Sequence, residues 1–309
     1  MSNTVFIFPG QGAQYVGMAK DFYDTFPIAR ETFEEASALL SYDFARLIFE
    51  GPQQELSLTK NSQPAIFIAS LAILRCLEQR FAGLKPWGAA GLSLGEYTAL
   101  CASGRITFAD GLKMVAARGL AMQEACLEQK GVMRVVLGLA PEMIAAHLPS
   151  DVWIANLNCP GQVVIAGSES MMSKAEEVLK AQGAKRILPL EVSGAFHTPL
   201  MKSAQEKLRP LLTSIPLKES PVIFVMNVPG DVIRDTSAMR DNLILQVASP
   251  TQWEKGIRKL DELGADLYLE IGPGKSLAGM NKKIGVRGAT LNIEKTTDLT
   301  QLETLYATS

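Results

Sequence analysis

Histidine is nearly missing from this chain, with two in 309 residues, His147 and His197. A histidine-built metal centre is therefore not expected, and any chemistry that needs an imidazole has only two places to find one. Cysteine is also sparse: Cys76, Cys101, Cys126 and Cys159 stand alone, with no CxxC pair. At this length, four scattered thiols suggest neither a zinc site nor a disulfide framework, and they read as small buried hydrophobes in a reducing compartment. Charge of one sign is lacking too. The balance of 30 basic and 32 acidic side chains gives a net charge of -2, which argues against nucleic acid or an anionic membrane as the main partner. The longest apolar stretch, Ala65 to Leu77, is interrupted by Arg75 and reads as a buried helix rather than a bilayer span. Met1-Ser2-Asn3-Thr4 lacks the basic start and apolar run of a signal peptide, so the expected location is the cytoplasm. No internal repeat or low-complexity segment stands out.

What is present is an α/β alternation. Val5 to Phe8 is a short apolar run ending in Pro9-Gly10, the pattern of a buried strand opening into a glycine loop. Helical apolar spacing covers 17–49 and, more strongly, 63–81. The small-residue strand Ala89 to Gly91 leads to Ser93, with helices expected over Leu94 to Ala102 and Ala109 to Glu128. From Gly131 the rhythm becomes strand, helix, strand, strand, helix, strand: Val132–Leu139, Pro141–Leu148, Val152–Leu157, Gln162–Ala166, Ser168–Gln182 and Lys185–Leu190. The middle strand pair surrounds an expected turn at Asn158-Cys159-Pro160-Gly161. That order is the ferredoxin-like unit. Thr198-Pro199 then reads as a helix start, and strands at Val222–Met226 and Ala265–Ile271 alternate with helices near 236–247 and 250–263. The expected architecture is a hydrolase-like parallel-sheet large domain, residues 1–128 and 192–309, with a ferredoxin-like small subdomain inserted at 129–191.

Gly91-Leu92-Ser93-Leu94-Gly95 fits G-x-S-x-G. Small flanking residues permit the tight strand-to-helix turn that projects a serine hydroxyl, and the Leu94 N–H then lies at a helix N-terminus suited to an oxyanion. A plain glycine-flanked turn is the bland alternative. A serine nucleophile needs a base. His147 falls inside a predicted helix of the inserted unit and reads as a surface residue. His197, just before a helix and downstream of the serine, is the candidate, against the alternative of a histidine tied up in loop hydrogen bonds. Two phosphate-binding patterns fail on inspection. Pro9-Gly10-Gln11-Gly12-Ala13-Gln14 has Tyr15 where G-x-G-x-x-G requires its last glycine, and Gly274-Lys275-Ser276 has Leu269 where a phosphate loop needs its first. The first loop is better used to present the Gln11 amide as a second oxyanion donor. Arg118 sits mid-helix among apolar and small neighbours. Its guanidinium offers two parallel donors to a carboxylate, and an intramolecular salt bridge explains it at least as well. Met122, one turn on, reads as pocket wall or core.

Together these residues resemble the malonyl-CoA:acyl carrier protein transacylases of fatty-acid synthesis and the related polyketide acyltransferase domains. The resemblance is carried by Phe8-Pro9-Gly10-Gln11-Gly12, Gln63-Pro64-Ala65, Gly91 to Tyr97, Arg118-Gly119, Asn156 to Gly167, Phe196-His197, Ser249 to Trp253 and Glu270 to Lys275, in the family's order over nearly the whole chain. It implies Ser93 as nucleophile, His197 as base, Gln11 and Leu94 as oxyanion amides and Arg118 as partner of the malonyl carboxylate. In the family the histidine is oriented by a main-chain carbonyl, and the match taken here is Gln252. From the residues alone, Ser249-Pro250-Thr251-Gln252 reads as a capping box. Asn158 is expected to shape the pocket. Leu92 departs from the histidine many members carry before the nucleophile, which bears on pocket polarity and not on proton transfer. Phe196, before the histidine, leans towards malonyl over methylmalonyl groups. The implied partners are malonyl-CoA and a holo acyl carrier protein, with no metal or redox cofactor. A serine thioesterase or acyl hydrolase, a polyketide-type acyltransferase and a non-catalytic binding module are the competing readings. Lys275, Lys282, Lys283 and Arg287 form a stretch without an acid that would suit an acidic carrier, although a solvated face is the preferred explanation.

Overall fold

The structure, a computed structural model, describes residues 2–306. Among these residues are ten strands: β1 (Thr4–Phe8), β2 (Gly88–Gly91), β3 (Val132–Leu137), β4 (Val152–Cys159), β5 (Gln162–Gly167), β6 (Arg186–Pro189), β7 (Ile223–Met226), β8 (Asp231–Val232), β9 (Leu267–Ile271) and β10 (Ala289–Ile293). Six of them form one sheet in the order β10-β9-β1-β2-β7-β8, parallel throughout except for β8, which turns back on β7. Every residue of β1 is buried. Phe6 and Phe8 face one apolar cluster with the helices Thr59–Arg80 and Phe108–Glu128, while Val5 and Ile7 face a second with Trp253, Ile257 and Leu277. A continuous apolar run is what a parallel strand covered on both faces requires.

The remaining four strands form an antiparallel sheet in the order β4-β5-β3-β6, with the helices Pro141–His147 and Glu169–Ala181 closing a separate small core. This is the ferredoxin-like topology expected from the strand and helix order. Thr251, just before the helix Trp253–Glu262, ties the small sheet to the rest of the fold: the Thr251 N–H donates to the Ala155 carbonyl and the Thr251 carbonyl accepts from the Leu157 N–H, both at 2.9 Å. The Asn156 side-chain amide adds a third bond, to Thr251 Oγ1 at 2.7 Å.

Several local expectations shift. The region 17–49 is three helices, Lys20–Thr25, Pro27–Leu40 and Phe44–Glu50, because Pro27 starts one and Gly51 ends another with positive φ. β4 runs on through Asn158 and Cys159, so the turn is confined to Pro160-Gly161 and Asn158 belongs to a strand. The capping box at Ser249 does not form. Thr251 is spent on β4, and the helix Trp253–Glu262 begins at Gln252 without a side-chain cap. The helix Ser276–Ile284 and strand β10 are additional to the elements expected from the sequence.

The crossing of β1 and β2 into their following loops is crowded. Phe8 pairs with Gly91 in the ladder. A Cβ on Gly95 would overlap the Phe8 carbonyl, and one on Gly91 would overlap the Gly95 backbone. Gly95→Ala is expected to cost about 3 kcal/mol or more of stability by overpacking. Gly279→Ala, in a helix with open space around it, should be neutral or slightly stabilising. Urea midpoints of the two variants check this, and equal midpoints would contradict the crowding.

Candidate active site

The residue between the two glycines of the turn, Ser93, has φ of 53°, and His197 has φ of 59°. Left-handed backbone at a non-glycine residue costs on the order of 1–2 kcal/mol and is kept only where its surroundings enforce it. Here the enforcement is visible. The Ser93 N–H donates to Asn227 Oδ1 at 2.7 Å, and its carbonyl accepts from Gln246 Nε2 at 2.8 Å. The His197 N–H donates to the Val247 carbonyl at 3.0 Å. The two strained residues present their side chains to each other, with Ser93 Oγ 2.8 Å from His197 Nε2.

His197 Nδ1 lies 2.8 Å from the Gln246 carbonyl. A carbonyl only accepts, so Nδ1 carries the proton and Nε2 is left as the acceptor for the serine hydroxyl. Gln252, the residue first matched to this role, is not the orienting group. Its carbonyl accepts from the Gly256 N–H at 3.0 Å inside its own helix. Gln246 is the last residue of the helix Thr236–Gln246, where a carbonyl has no partner within the helix. That helix end was the signal that separates the two glutamines.

His197 is buried, with 3% of its surface exposed. Burial first, and the Arg118 charge second, push its pKa from 6.5 down to about 4, while the carbonyls of Gln246 and Ser249 pull the other way. The imidazole is therefore a free base at neutral pH. Because the folded value is depressed, its contribution to stability is present above pH 6.5 and is lost as pH falls to about 4.

Arg118 is 1% exposed, and among the described residues no ion pair neutralises it directly. Its guanidinium is met by neutral oxygens instead: Nη1 donates to Gln63 Oε1 at 2.7 Å, and Nη2 donates to Gln246 Oε1 at 2.9 Å and Ser93 Oγ at 3.0 Å. The Tyr97 ring lies 5.5 Å from its centre. The salt-bridge alternative for Arg118 is thus set aside. Gln63 also donates to Gln11 Oε1 at 3.3 Å and contacts Met122 Sδ at 3.3 Å, linking the arginine to the first loop.

Ser93 and His197 open on a cleft of about 250 Å³, bounded by Gln11, Met122, Asn158 and Phe196, with Ser276 and Met280 on its rim. The N–H groups of Gln11 and Leu94 make no hydrogen bond within the described residues. Gly10 and Leu92 are in backbone contact, a Cβ on Gly10 falling 2.5 Å from the Leu92 carbonyl, which brings the first loop against the serine turn. His147 is remote from this chemistry, its Nδ1 bonded to the Met143 carbonyl of its own helix. Of the four basic residues considered for a rim, Lys283 reaches the cleft by donating to Gln162 at 3.0 Å, whereas Arg287 is taken by Asp261.

Beneath the serine turn lie groups that the sequence did not mark. Glu96, 1% exposed, accepts from the Asn227 backbone and side-chain N–H groups at 2.6 and 3.0 Å and from Gln246 Nε2. Burial pushes its carboxyl up to about 7, while the Asn227 and Gln246 donors and Arg118 pull it down. In the sequence it looked like an ordinary acid in a helix first turn.

A serine raised on a strained strand-to-helix turn, with a neutral histidine aimed at it and a cleft lined by the first loop in front of it, defines an enzyme of acyl transfer through serine. The chain matches the acyl transferase domain family over residues 5–289. It is 42% identical to the malonyl CoA-acyl carrier protein transacylase of Bacillus subtilis, over 95% of this chain and 94% of that protein. It is 43% identical to the protein of the same name from Escherichia coli, over 92% and 93%. A solved malonyl-transacylase, in complex with the holo acyl-carrier protein of a type II polyketide synthase, superposes with a TM-score of 0.94 at 38% identity over the whole of both chains. The chain belongs to the malonyl CoA-acyl carrier protein transacylases.

An NMR titration of the His197 imidazole should find its midpoint near 4. A midpoint at 6.5 would mean that the base is neither desolvated nor held beside a cation.

Proposed function

We propose that this chain moves a malonyl group from malonyl-CoA to the phosphopantetheine thiol of an acyl carrier protein, through an ester on Ser93. The observation that carries the reading is Arg118, a buried guanidinium 3.0 Å from Ser93 Oγ and held only by neutral oxygens. An acyl group esterified to that oxygen brings a carboxylate on its far carbon to the guanidinium, and the malonyl group has such a carboxylate.

In the scheme, His197 Nε2 takes the hydroxyl proton as Oγ bonds to the thioester carbonyl carbon. The charge on the carbonyl oxygen meets the N–H groups of Gln11 and Leu94, each such donor being worth about 3 kcal/mol of barrier. The C–S bond breaks, and coenzyme A leaves as a thiol with the proton from His197. The carrier thiol then runs the steps in reverse, giving its proton to His197 and taking the malonyl group. Arg118–Ser93 contact stabilises the developing alkoxide and keeps the arginine at the site when no substrate is bound. No metal or redox cofactor enters any step. The exposed Lys283, bonded to Gln162 of the cleft, with Lys275 and Lys282 exposed nearby in sequence, suits an acidic carrier. Four free thiols, three of them buried, suit the cytoplasm.

Mixing with malonyl-CoA should add one malonyl mass to the chain, absent in Ser93→Ala, and holo carrier protein should clear it. An adduct lost to water as fast as to the carrier would favour a thioesterase. Arg118→Ala should lose about 100-fold or more in malonyl kcat/KM while retaining acetyl transfer, because the lost contact is a charged, desolvated one. Equal losses for malonyl and acetyl groups would contradict the assignment.

A further inference from the structure

Glu96 touches nothing that reacts, yet both of its partners do. Its oxygens receive only N–H groups: two from Asn227 and one from Gln246. An ionised carboxylate is an acceptor at both oxygens and matches this set, whereas a primary amide would place a donor against a donor and a neutral acid would have to turn its hydroxyl proton away from the N–H groups. The consequence lies in the far ends of the partner amides. A side-chain amide has one donor end and one acceptor end. With Nδ2 of Asn227 fixed on Glu96 and on the Gly91 carbonyl at 2.7 Å, Oδ1 is left to accept the Ser93 N–H. With Nε2 of Gln246 fixed on Glu96 and on the Ser93 carbonyl, Oε1 is left to accept from Arg118 at 2.9 Å. A reversed Gln246 would aim an NH₂ at a buried guanidinium.

We infer that Glu96 is a positioning residue whose buried negative charge sets the orientation of the Asn227 and Gln246 amides, and through them the aim of the Ser93 nucleophile and the Arg118 guanidinium. The same Gln246 orients His197 through its main-chain carbonyl, so nucleophile, base and cation all connect to one anion. The Arg118 half of this inference rests on the malonyl-transfer reading, and the Ser93 half stands apart from it.

The test uses the full chain with Glu96→Gln and Glu96→Asp. Ser93 is titrated with a fluorophosphonate, which labels any base-activated serine, so that rates are expressed per active site. Single-turnover acylation is then followed with malonyl-CoA and with acetyl-CoA. Glu96→Gln should slow malonyl acylation per site about 100-fold through misaimed groups and cut the malonyl-over-acetyl preference at least about tenfold. It should also slow phosphonylation. A residue that merely held the fold together would lower the number of labelled sites and leave per-site rates and preference intact. Per-site rates and preference within about twofold of the parent would overturn the inference. If Glu96→Gln is not recovered folded, Glu96→Asp decides. It keeps an acceptor-only group, so a slower enzyme with the preference retained supports the inference, and a collapsed preference overturns it. A parent chain that takes no malonyl group would sink the functional reading, and the phosphonylation rates would still decide the Ser93 half.

Discussion

The active geometry depends on how closely two strand ends are forced together. β1 and β2 lie side by side in register, and the chain leaving β2 must turn at once into a helix whose first residue, Gly95, lies against the carbonyl of Phe8. No side chain fits there. The turn is therefore tight, and the residue at its apex has left-handed backbone torsions that a serine does not choose. The same crowding brings the loop after β1 against Leu92, on the serine turn. The sharp bend, the projecting hydroxyl and the approach of the first loop are one geometric event.

A second constraint is electrostatic. The site contains a buried cation, a buried anion and a buried imidazole, yet no direct ion pair joins Arg118 to Glu96. Gln246 stands between them, accepting from one and donating to the other. Removing charges from water is costly unless they are hydrogen-bonded, and here neutral groups, chiefly side-chain amides, bond the Glu96 oxygens and both terminal nitrogens of Arg118. A direct salt bridge would have satisfied the arginine permanently. Amide oxygens hold it in place without neutralising it, which leaves a net attraction for an incoming carboxylate. The cation also helps keep His197 unprotonated, in the form that can accept a proton.

How much of this was legible in the sequence divides along physical lines. Local patterns gave the elements that local physics controls: the all-apolar β1, the glycine-flanked Ser93, the Thr198-Pro199 start, whose hydroxyl does cap Leu200, and the strand and helix order of the inserted unit. Ser93 and His197 were paired by scarcity, since the chain offers only two imidazoles. What failed was register between alternatives six residues apart. Gln246 and Gln252 are both glutamines near a predicted helix boundary, and choosing between their carbonyls needs to be made on which one ends a helix and which one begins it. Asn227 was invisible for a different reason. An asparagine before Val228-Pro229-Gly230 reads as a turn former, and nothing local says that its amide reaches across 134 residues to the nucleophile's N–H. Glu96 carries no mark of its own in the sequence, because burial is a tertiary property.

That last failure has a physical lesson about where function is stored. An acid in a helix first turn is ordinarily stabilised by the helix dipole in water, for a few tenths to 1 kcal/mol. Burying it at the same position reverses the sign: desolvation raises its pKa to about 7, so its ionised form opposes folding as pH rises through that value. A group that works against stability where the carboxylate is ionised is not explained by the fold. It is explained by the three N–H groups that converge on it, each belonging to a residue that touches the reacting serine or the arginine. The structure thus spends stability at one buried carboxylate, and the only groups that gain from its charge are those that aim the chemistry.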